Sequence, residues 1–273
     1  MISGPWQRST MDAHEVAARA AAERAAEIVR EQWVRRKPID LKSNTIDLVT
    51  ETDRACERAI LEELTAAFPS YAVLAEESGA RGESDFRWVI DPLDGTTNFA
   101  HSYPQVAISI ALLRRDEPLF GLVCDPIRDE TFVARRGGGA FCNEEPLRVS
   151  STPALSTSLL ATGFPYDRRR FADFYVAHLK EFMMRTHGVR RAGAAALDLC
   201  WVAAGRVDGF WEWKLKAWDL AAGALIVEEA GGRTSDFDGA AMDLFGEQCL
   251  ASNGAIHDEM IDVLRPLVAL RPW

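Results

Sequence analysis

Apolar residues follow two different spacings along this chain. From Met11 to about Arg36, the run DAHEVAARAAAERAAEIVREQWVRR is rich in Ala, Glu and Arg at helical spacing, which predicts a long amphipathic helix. A second helix is predicted to open at Thr52-Asp53, both good capping types, and to close before Pro69. The pattern then shortens. YAVLAEES and FRWVIDPLDG read as strands that each stop at acids. VAISIALL, LFGLVCD and TFVARR alternate or run apolar, separated by turn residues, and predict an antiparallel sheet.

After Ser150 strands and helices alternate. SLLATGF, VDGFWEW and CLASN read as strands. FADFYVAHLKEFMM, AAALDLCWVAAG, WDLAAGALIVEEAGG and IHDEMIDVLRPLV read as helices, the second stopped by Gly205 and the third by Gly231-Gly232. No repeat, low-complexity tract or linker interrupts the chain. The fold class expected is α+β or α/β, with helices layered on sheets in a single domain over residues 1–273. If it has halves, an α+β part over 11–150 and an α/β part over 151–273 should meet near 150–160, and residues 1–10 read as a disordered lead-in.

Composition narrows the class. With 48% apolar and 26% charged residues, a chain of 273 can bury a substantial core. A net charge of −10 argues against nucleic acid as the main partner, because phosphate backbones need clustered Lys and Arg. Acids gathered in a cleft can instead hold divalent cations, which then hold phosphate. The five cysteines are widely spaced with no C-x-x-C pair, so neither a disulfide framework nor a zinc site is expected. No secretory leader is evident, and no apolar run reaches the roughly 18 residues of a membrane span. A soluble cytoplasmic protein with no membrane partner is expected.

Four groups of acids stand out: Glu76-Glu77, Asp91 with Asp94, Asp219, and Asp53 at a helix start. Taken singly, each has an ordinary explanation as a turn former or a cap. DPLDGTTN is harder to explain that way. Two carboxylates three apart across a proline turn can face one space at a sheet mouth, which suits Mg²⁺. Gly95 lets backbone approach a ligand, and Thr96-Thr97 open a short helix whose free N–H groups suit an oxyanion. Other chemistries fit less well. EF-hand spacing, a P-loop, a G-x-G-x-x-G after a strand and a G-x-S-x-G elbow are absent. The five histidines show no i, i+4 pair, and Gly137 to Gly139 reads as a hairpin turn.

WVIDPLDGTTNF and WDLAAGALIVEEAGG resemble the two signatures of the inositol monophosphatase family, within the lithium-sensitive, Mg²⁺-dependent phosphatases that include fructose-1,6-bisphosphatases. AEES at 75–78, IDLVTETD at 46–53 and LASNGAIHDEM resemble further family segments, in family order from about residue 42 to 262. The resemblance implies a layered αβαβα fold, usually a homodimer, that hydrolyses a small phosphorylated polyol with two to three Mg²⁺ per site. Glu76, Asp91 and the Leu93 carbonyl would hold the first ion. Asp91, Asp94 and Asp219 would hold the second, and Glu76 would help hold a third. Thr96 paired with Asp53 would orient and deprotonate the attacking water, making Asp53, Thr96 and Glu76 the catalytic set. Gly95 and Thr96 N–H groups would receive phosphate, Glu212 would meet substrate hydroxyls, and Gly193, Ala194 and Ala195 would line the other side. Arg190 is a candidate second contact, and Glu76, Leu93, Asp94 and Asp219 would also border the substrate.

Smaller readings accompany these. Lys42 matches a family lysine or is a solvated surface residue. Trp211, Trp213 and Trp218 read mostly as core, with one at a cleft wall, and the arginines at 168–170 as a solvated loop. The implied reaction is hydrolysis of inositol 1-phosphate by direct attack of activated water. Histidinol phosphate, fructose 1,6-bisphosphate and a 3′,5′-bisphosphonucleotide remain open within the same chemistry. The competing classes are a non-catalytic interaction protein that retains the fold and a Ca²⁺-binding module.

Overall fold

The computed structural model describes residues 8–34 and 51–273. Helices α1 (Arg8–Val34) and α2 (Glu51–Ala67) come first, followed by strands β1 (Ala72–Ala75), β2 (Gly79–Arg81) and β3 (Phe86–Asp94). A short helix α3 (Thr96–Ala100) leads to strands β4 (Ala107–Arg114), β5 (Glu117–Asp125), β6 (Glu130–Arg135), β7 (Gly139–Cys142) and β8 (Glu145–Pro146). These eight strands form one sheet in the order β2-β1-β3-β4-β5-β6-β7-β8.

A second sheet follows from strand β9 (Leu159–Thr162), helix α4 (Ala172–Met183), strand β10 (Gly188–Arg190), helix α5 (Ala195–Ala203), strand β11 (Gly209–Trp213), helix α6 (Ala217–Glu229), strands β12 (Arg233–Ser235) and β13 (Gln248–Ser252), and helix α7 (His257–Val268). Its order is β10-β9-β11-β13-β12.

Side-chain alternation along the strands sorts the core into layers. Trp88, Ile90, Ile108, Ile110 and Leu122 face α1 and α2. Val89, Ala107, Ala111 and Val123 face the other way, onto α5 and α6. The second sheet turns Ala161, Phe210 and Cys249 toward the same two helices, and Leu160, Trp211 and Leu250 outward to α4 and α7. The result is the αβαβα sandwich that the resemblance implies. The middle helices are rich in Ala and Gly, so they approach both neighbours closely. A Cβ on Gly121 of β5 would lie 2.8 Å from the Ala222 backbone of α6, and one on Gly223 would lie 2.7 Å from Leu199 of α5.

The antiparallel pairing expected of the middle strands holds for β4, β5 and β6. β1, whose direction the sequence does not give, runs parallel to β3, with Ala75 opposite Ile90. The chain reverses into β2 and again out of it, and these two reversals restore the original direction. α1 starts at Arg8, so residues 8–10 are helical rather than part of a lead-in. Residues 35–36, Lys42 and the first part of the 46–53 segment lie outside the described residues. Strands β2, β7, β8, β10 and β12 went unread because each has four residues or fewer, too short to show a period. Gly137 to Gly139 do form the β6–β7 turn, where the Gly137 and Gly139 amides donate to the Glu229 carboxylate at 2.8 and 2.9 Å.

Candidate active site

Parallel pairing of β1 and β3 brings their C-terminal ends together. The Glu76 amide continues the ladder by donating to the Ile90 carbonyl at 3.1 Å, which sets Glu76 beside Asp91. Residues three apart on a regular strand face opposite sides. Between Asp91 and Asp94, however, β3 uses three steps while β4 uses two, from Ser109 to Ala107. Pro92, which has no N–H to donate, sits in this bulge, and the extra residue turns both acids to one side. The Asp91 carboxylate accepts the Leu93 amide at 3.0 Å and holds the bend.

Gly95 then takes the left-handed conformation (φ 93°, ψ 34°) at the N-cap of α3. A Cβ there would also sit 2.7 Å from the Gln105 carbonyl, so glycine is required twice over. The Thr96 hydroxyl donates to Asp53 of α2 at 3.0 Å, with the Leu93 carbonyl a second acceptor at 3.2 Å. Asp53 is only 1% exposed. Asn98 was not singled out in the sequence. Its amide reaches the Gln105 carbonyl at 2.8 Å and the Ala192 carbonyl at 2.9 Å, tying α3 to the loop that carries Gly193.

The last acid comes from the middle layer. Asp219 lies in the first turn of α6 and accepts the Lys216 amide at 2.7 Å. Ser109 of β4 anchors the same turn by donating to the Trp218 carbonyl at 3.0 Å. Oxygens of Asp91, Asp94 and Asp219 consequently lie within 4.8 Å of one another. Asp94 also accepts the Ala196 amide of α5 at 2.7 Å.

Burial dominates the electrostatics. It pushes Glu76 up to about 7 and Asp219 up to about 6, and it raises Asp91 and Asp94 well above the carboxylate range. Mutual repulsion adds to the effect on Glu76, Asp91 and Asp94. Buried carboxylates this close cannot all ionise without added positive charge. An all-oxygen donor set is what a hard divalent cation takes, so these residues fit a bound metal.

The acids open into a cavity of about 560 Å³ that is also lined by Leu93, Gly95, Thr96, Thr97, Gly193, Ala195 and Glu212. Glu212 is buried, which raises its carboxyl well above the usual range, an effect that Arg191 partly offsets. A Cβ on Gly163 would fall 1.9 Å from the Glu212 carboxylate, so this acid fits only against glycine. Ala194 lies buried beneath the cavity, 3.5 Å from a Cβ built on Gly95, and does not line it.

Arg190 is displaced from its expected place. It ends β10 exposed, with its guanidinium turned back on the Val189 carbonyl, while the next residue, Arg191, borders the cavity. Strand alternation sends the two arginines to different sides, which the RR pair in the sequence does not reveal. Arg168 and Tyr166 line the mouth, so the 168–170 run is not simply a solvated loop. Trp211 is core, whereas Trp213 and Trp218 both border the cavity. Asp198 of α5 was also missed. Both its oxygens are buried without a hydrogen-bond partner among the described residues, and burial raises its pKa well above the ordinary value.

The sequence profile of the inositol monophosphatase family matches residues 11–269. An inositol-1-monophosphatase from Synechocystis is 48% identical over 255 residues, covering 92% of this chain and 88% of the relative. A Nus factor SuhB from Pseudomonas aeruginosa is 46% identical, covering 81% of this chain and 83% of the relative. The solved inositol monophosphatase of Anabaena (Nostoc) superposes with a TM-score of 0.86 at 41% identity, covering 94% and 97% of the two chains. The likeness runs over nearly the whole chain in both sequence and fold, and its relatives include phosphatases: this chain belongs to the inositol monophosphatase family.

Proposed function

We propose that the protein hydrolyses a small phosphorylated polyol, inositol 1-phosphate first among the candidates, with Mg²⁺ as cofactor. One observation carries this reading: Asp91, Asp94 and Asp219 converge on the cavity that also receives the hydroxyl of Thr96, held by Asp53. Glu76, Asp91, Asp94, Asp219 and the Leu93 carbonyl would hold the metal. Bound Mg²⁺ supplies the positive charge that makes an attacking water more acidic and offsets charge on the leaving oxygen.

The chain's own groups do the rest. Asp53 fixes the Thr96 hydroxyl so that its oxygen is free to accept a hydrogen bond from water and hand the proton toward the carboxylate. Gly95 and Thr96 offer backbone N–H groups, without helical acceptors, to the phosphate oxygens. Glu212 and Gly193 face the alcohol side, where a carboxylate suits sugar hydroxyls. All five cysteines are free and no helix among the described residues is long and apolar enough to cross a membrane, which supports a cytoplasmic setting. The homodimer remains part of this proposal.

The test is phosphate release from inositol 1-phosphate, histidinol phosphate, fructose 1,6-bisphosphate and a 3′,5′-bisphosphonucleotide, each with Mg²⁺, with EDTA and with Mg²⁺ plus lithium. Mg²⁺-dependent, lithium-inhibited release that is fastest by kcat/KM on inositol 1-phosphate is expected. Release from none of them by folded protein would overturn the reading. A second, binding role alongside hydrolysis draws support from relatives named Nus factor SuhB at 41 to 46% identity. An Asp94→Asn protein that replaces wild type in cells despite being inactive would favour it.

A further inference from the structure

Beyond α7 the chain turns back, with the Leu270 and Arg271 amides donating to the Leu267 and Val268 carbonyls at 3.0 and 3.1 Å. This lays Trp273 in a bowl of rings. Its centroid lies 5.2 Å from Phe171, 5.2 Å from Phe174, 5.6 Å from Trp213 and 6.0 Å from Tyr175. The indole Nε1 donates to Glu247 at 3.0 Å, and the residue as a whole is 36% exposed. Ring packing of this extent places the indole, although part of the residue stays open to solvent.

What lies under the ring matters more. The Lys214 ammonium sits 3.4 Å from the centre of the indole, and it donates to Asp167 at 2.7 Å. Asp167 also accepts the Tyr175 hydroxyl at 2.8 Å. Lys214 has the left-handed φ of 61°, and its amide donates to the Glu247 carbonyl at 2.7 Å, so Glu247 anchors both the indole and the Lys214 backbone. Asp167 and Lys214 belong to the two segments, 164–168 and 212–216, that wall the cavity on the side of Glu212. Their ion pair bridges these segments. An ion pair left in water contributes little and is screened by salt. One roofed by an aromatic face, with side chains only 22% and 32% exposed, holds its geometry better.

We propose that Trp273 is a positioning residue for substrate selection. By covering the Asp167–Lys214 pair it fixes the distance between the two wall segments that receive the alcohol part of the substrate, and it has no part in metal binding or proton transfer. The proposal rests on the phosphomonoesterase reading for its kinetic arm alone.

Two measurements test it. The first needs no activity: labelling of Lys214 by N-acetoxysuccinimide, followed by mass spectrometry, in wild type, Trp273→Ala and Trp273→Phe. Loss of the ring should speed labelling about five-fold, and Phe should restore most of the protection. Equal labelling in Trp273→Ala and wild type would overturn the proposal whatever the substrate proves to be. The second compares inositol 1-phosphate, or the best panel ester in its place, with glycerol 2-phosphate, whose shorter alcohol reaches less of the wall. In Trp273→Ala the KM for the larger ester should rise about ten-fold, with kcat and Mg²⁺ activation little changed and glycerol 2-phosphate unaffected. An equal KM rise for both esters, or a fall in kcat at constant KM, would overturn it. Asp167→Asn, which breaks the bridge without changing volume, should reproduce the KM signature if Trp273→Ala does not fold, and an unchanged KM there would also overturn it.

Discussion

At its inner end the cavity takes Glu76, Asp91 and Asp94 from adjoining strand ends of one sheet and Thr96 and Asp219 from helix starts, and at its outer end it takes Tyr166, Arg191, Glu212 and Lys214 from separated segments of the other half. The inner end is fixed by backbone: a parallel ladder, a bulge, a left-handed glycine and a helix start. The outer end is fixed by side chains packed on side chains, with Trp273 at its edge. The difference separates two tasks. Chemistry needs oxygens held rigidly at set distances, while recognition of the alcohol can be retuned by replacing residues that carry no fold-defining backbone.

If that division is right, substitutions at the two ends should fail differently. The largest effect belongs to the inner end. Asp94→Asn should lower kcat/KM on the order of 10³-fold with an unchanged circular dichroism spectrum, because it removes one of the converging charges. It should also raise the melting temperature in EDTA, since less repulsion is left to bury. Near-normal turnover would break the comparison outright. At the outer end, Glu212→Gln should raise KM about ten-fold while leaving kcat within a small factor, the loss expected for one hydrogen bond to a hydroxyl. A collapse of kcat would move Glu212 into the chemistry.

The smallest effect is one of pH. Folded, Glu76 and Asp219 titrate near 7 and 6, against ordinary values of 4.5 and 3.8 unfolded. The metal-free folded chain thus binds more protons than the unfolded one across that span, so these groups stabilise it fully at low pH and lose that contribution as pH rises through 7. His257 acts in the opposite sense. Burial lowers its pKa to about 4 from 6.5, so its contribution is present above 6.5 and lost as pH falls toward 4. Comparing melting temperatures with and without Mg²⁺ isolates the acids. The gain from Mg²⁺ should be small at pH 5 and grow to several degrees, roughly one or two kcal/mol, by pH 8. A gain independent of pH would contradict the cluster's protonation.

The same division explains what the sequence makes legible. The inner end is written in DPLDGTTN, where bulge, turn and helix start are each a local consequence of Pro, Gly and Asp. Glu76 and Asp219 stand out locally as acids at element ends, but it is the family resemblance that joins them to this stretch. Long periodic runs gave helices layered on sheets, the order of the layers came from the resemblance, and what stayed unread were the short strands and the direction of β1, which depends on two reversals of the chain. Tyr166 and Arg168 were missed as cavity residues, and the Arg190-Arg191 pair could be read equally as a substrate contact or as a partner of surface acids, because nothing local says which side of a three-residue strand or a turn faces inward. Asp198 and Trp273 depend entirely on contacts distant in the chain.

The packing of α6 has a consequence for how variants of this protein should be sorted. The helix is seated by two absences, the missing side chains of Gly121 beneath Ala222 and of Gly223 beside Leu199. Adding one methyl at either place would shift the helix sideways and carry Asp219 with it, and a displacement near 1 Å at a reacting centre costs about 10²-fold in rate. In a survey of inactivating substitutions, Gly121→Ala and Gly223→Ala would therefore be scored as damage to the core. On the proposed function their lesion would be one of metal affinity, open to rescue by excess Mg²⁺ in a chain that still folds.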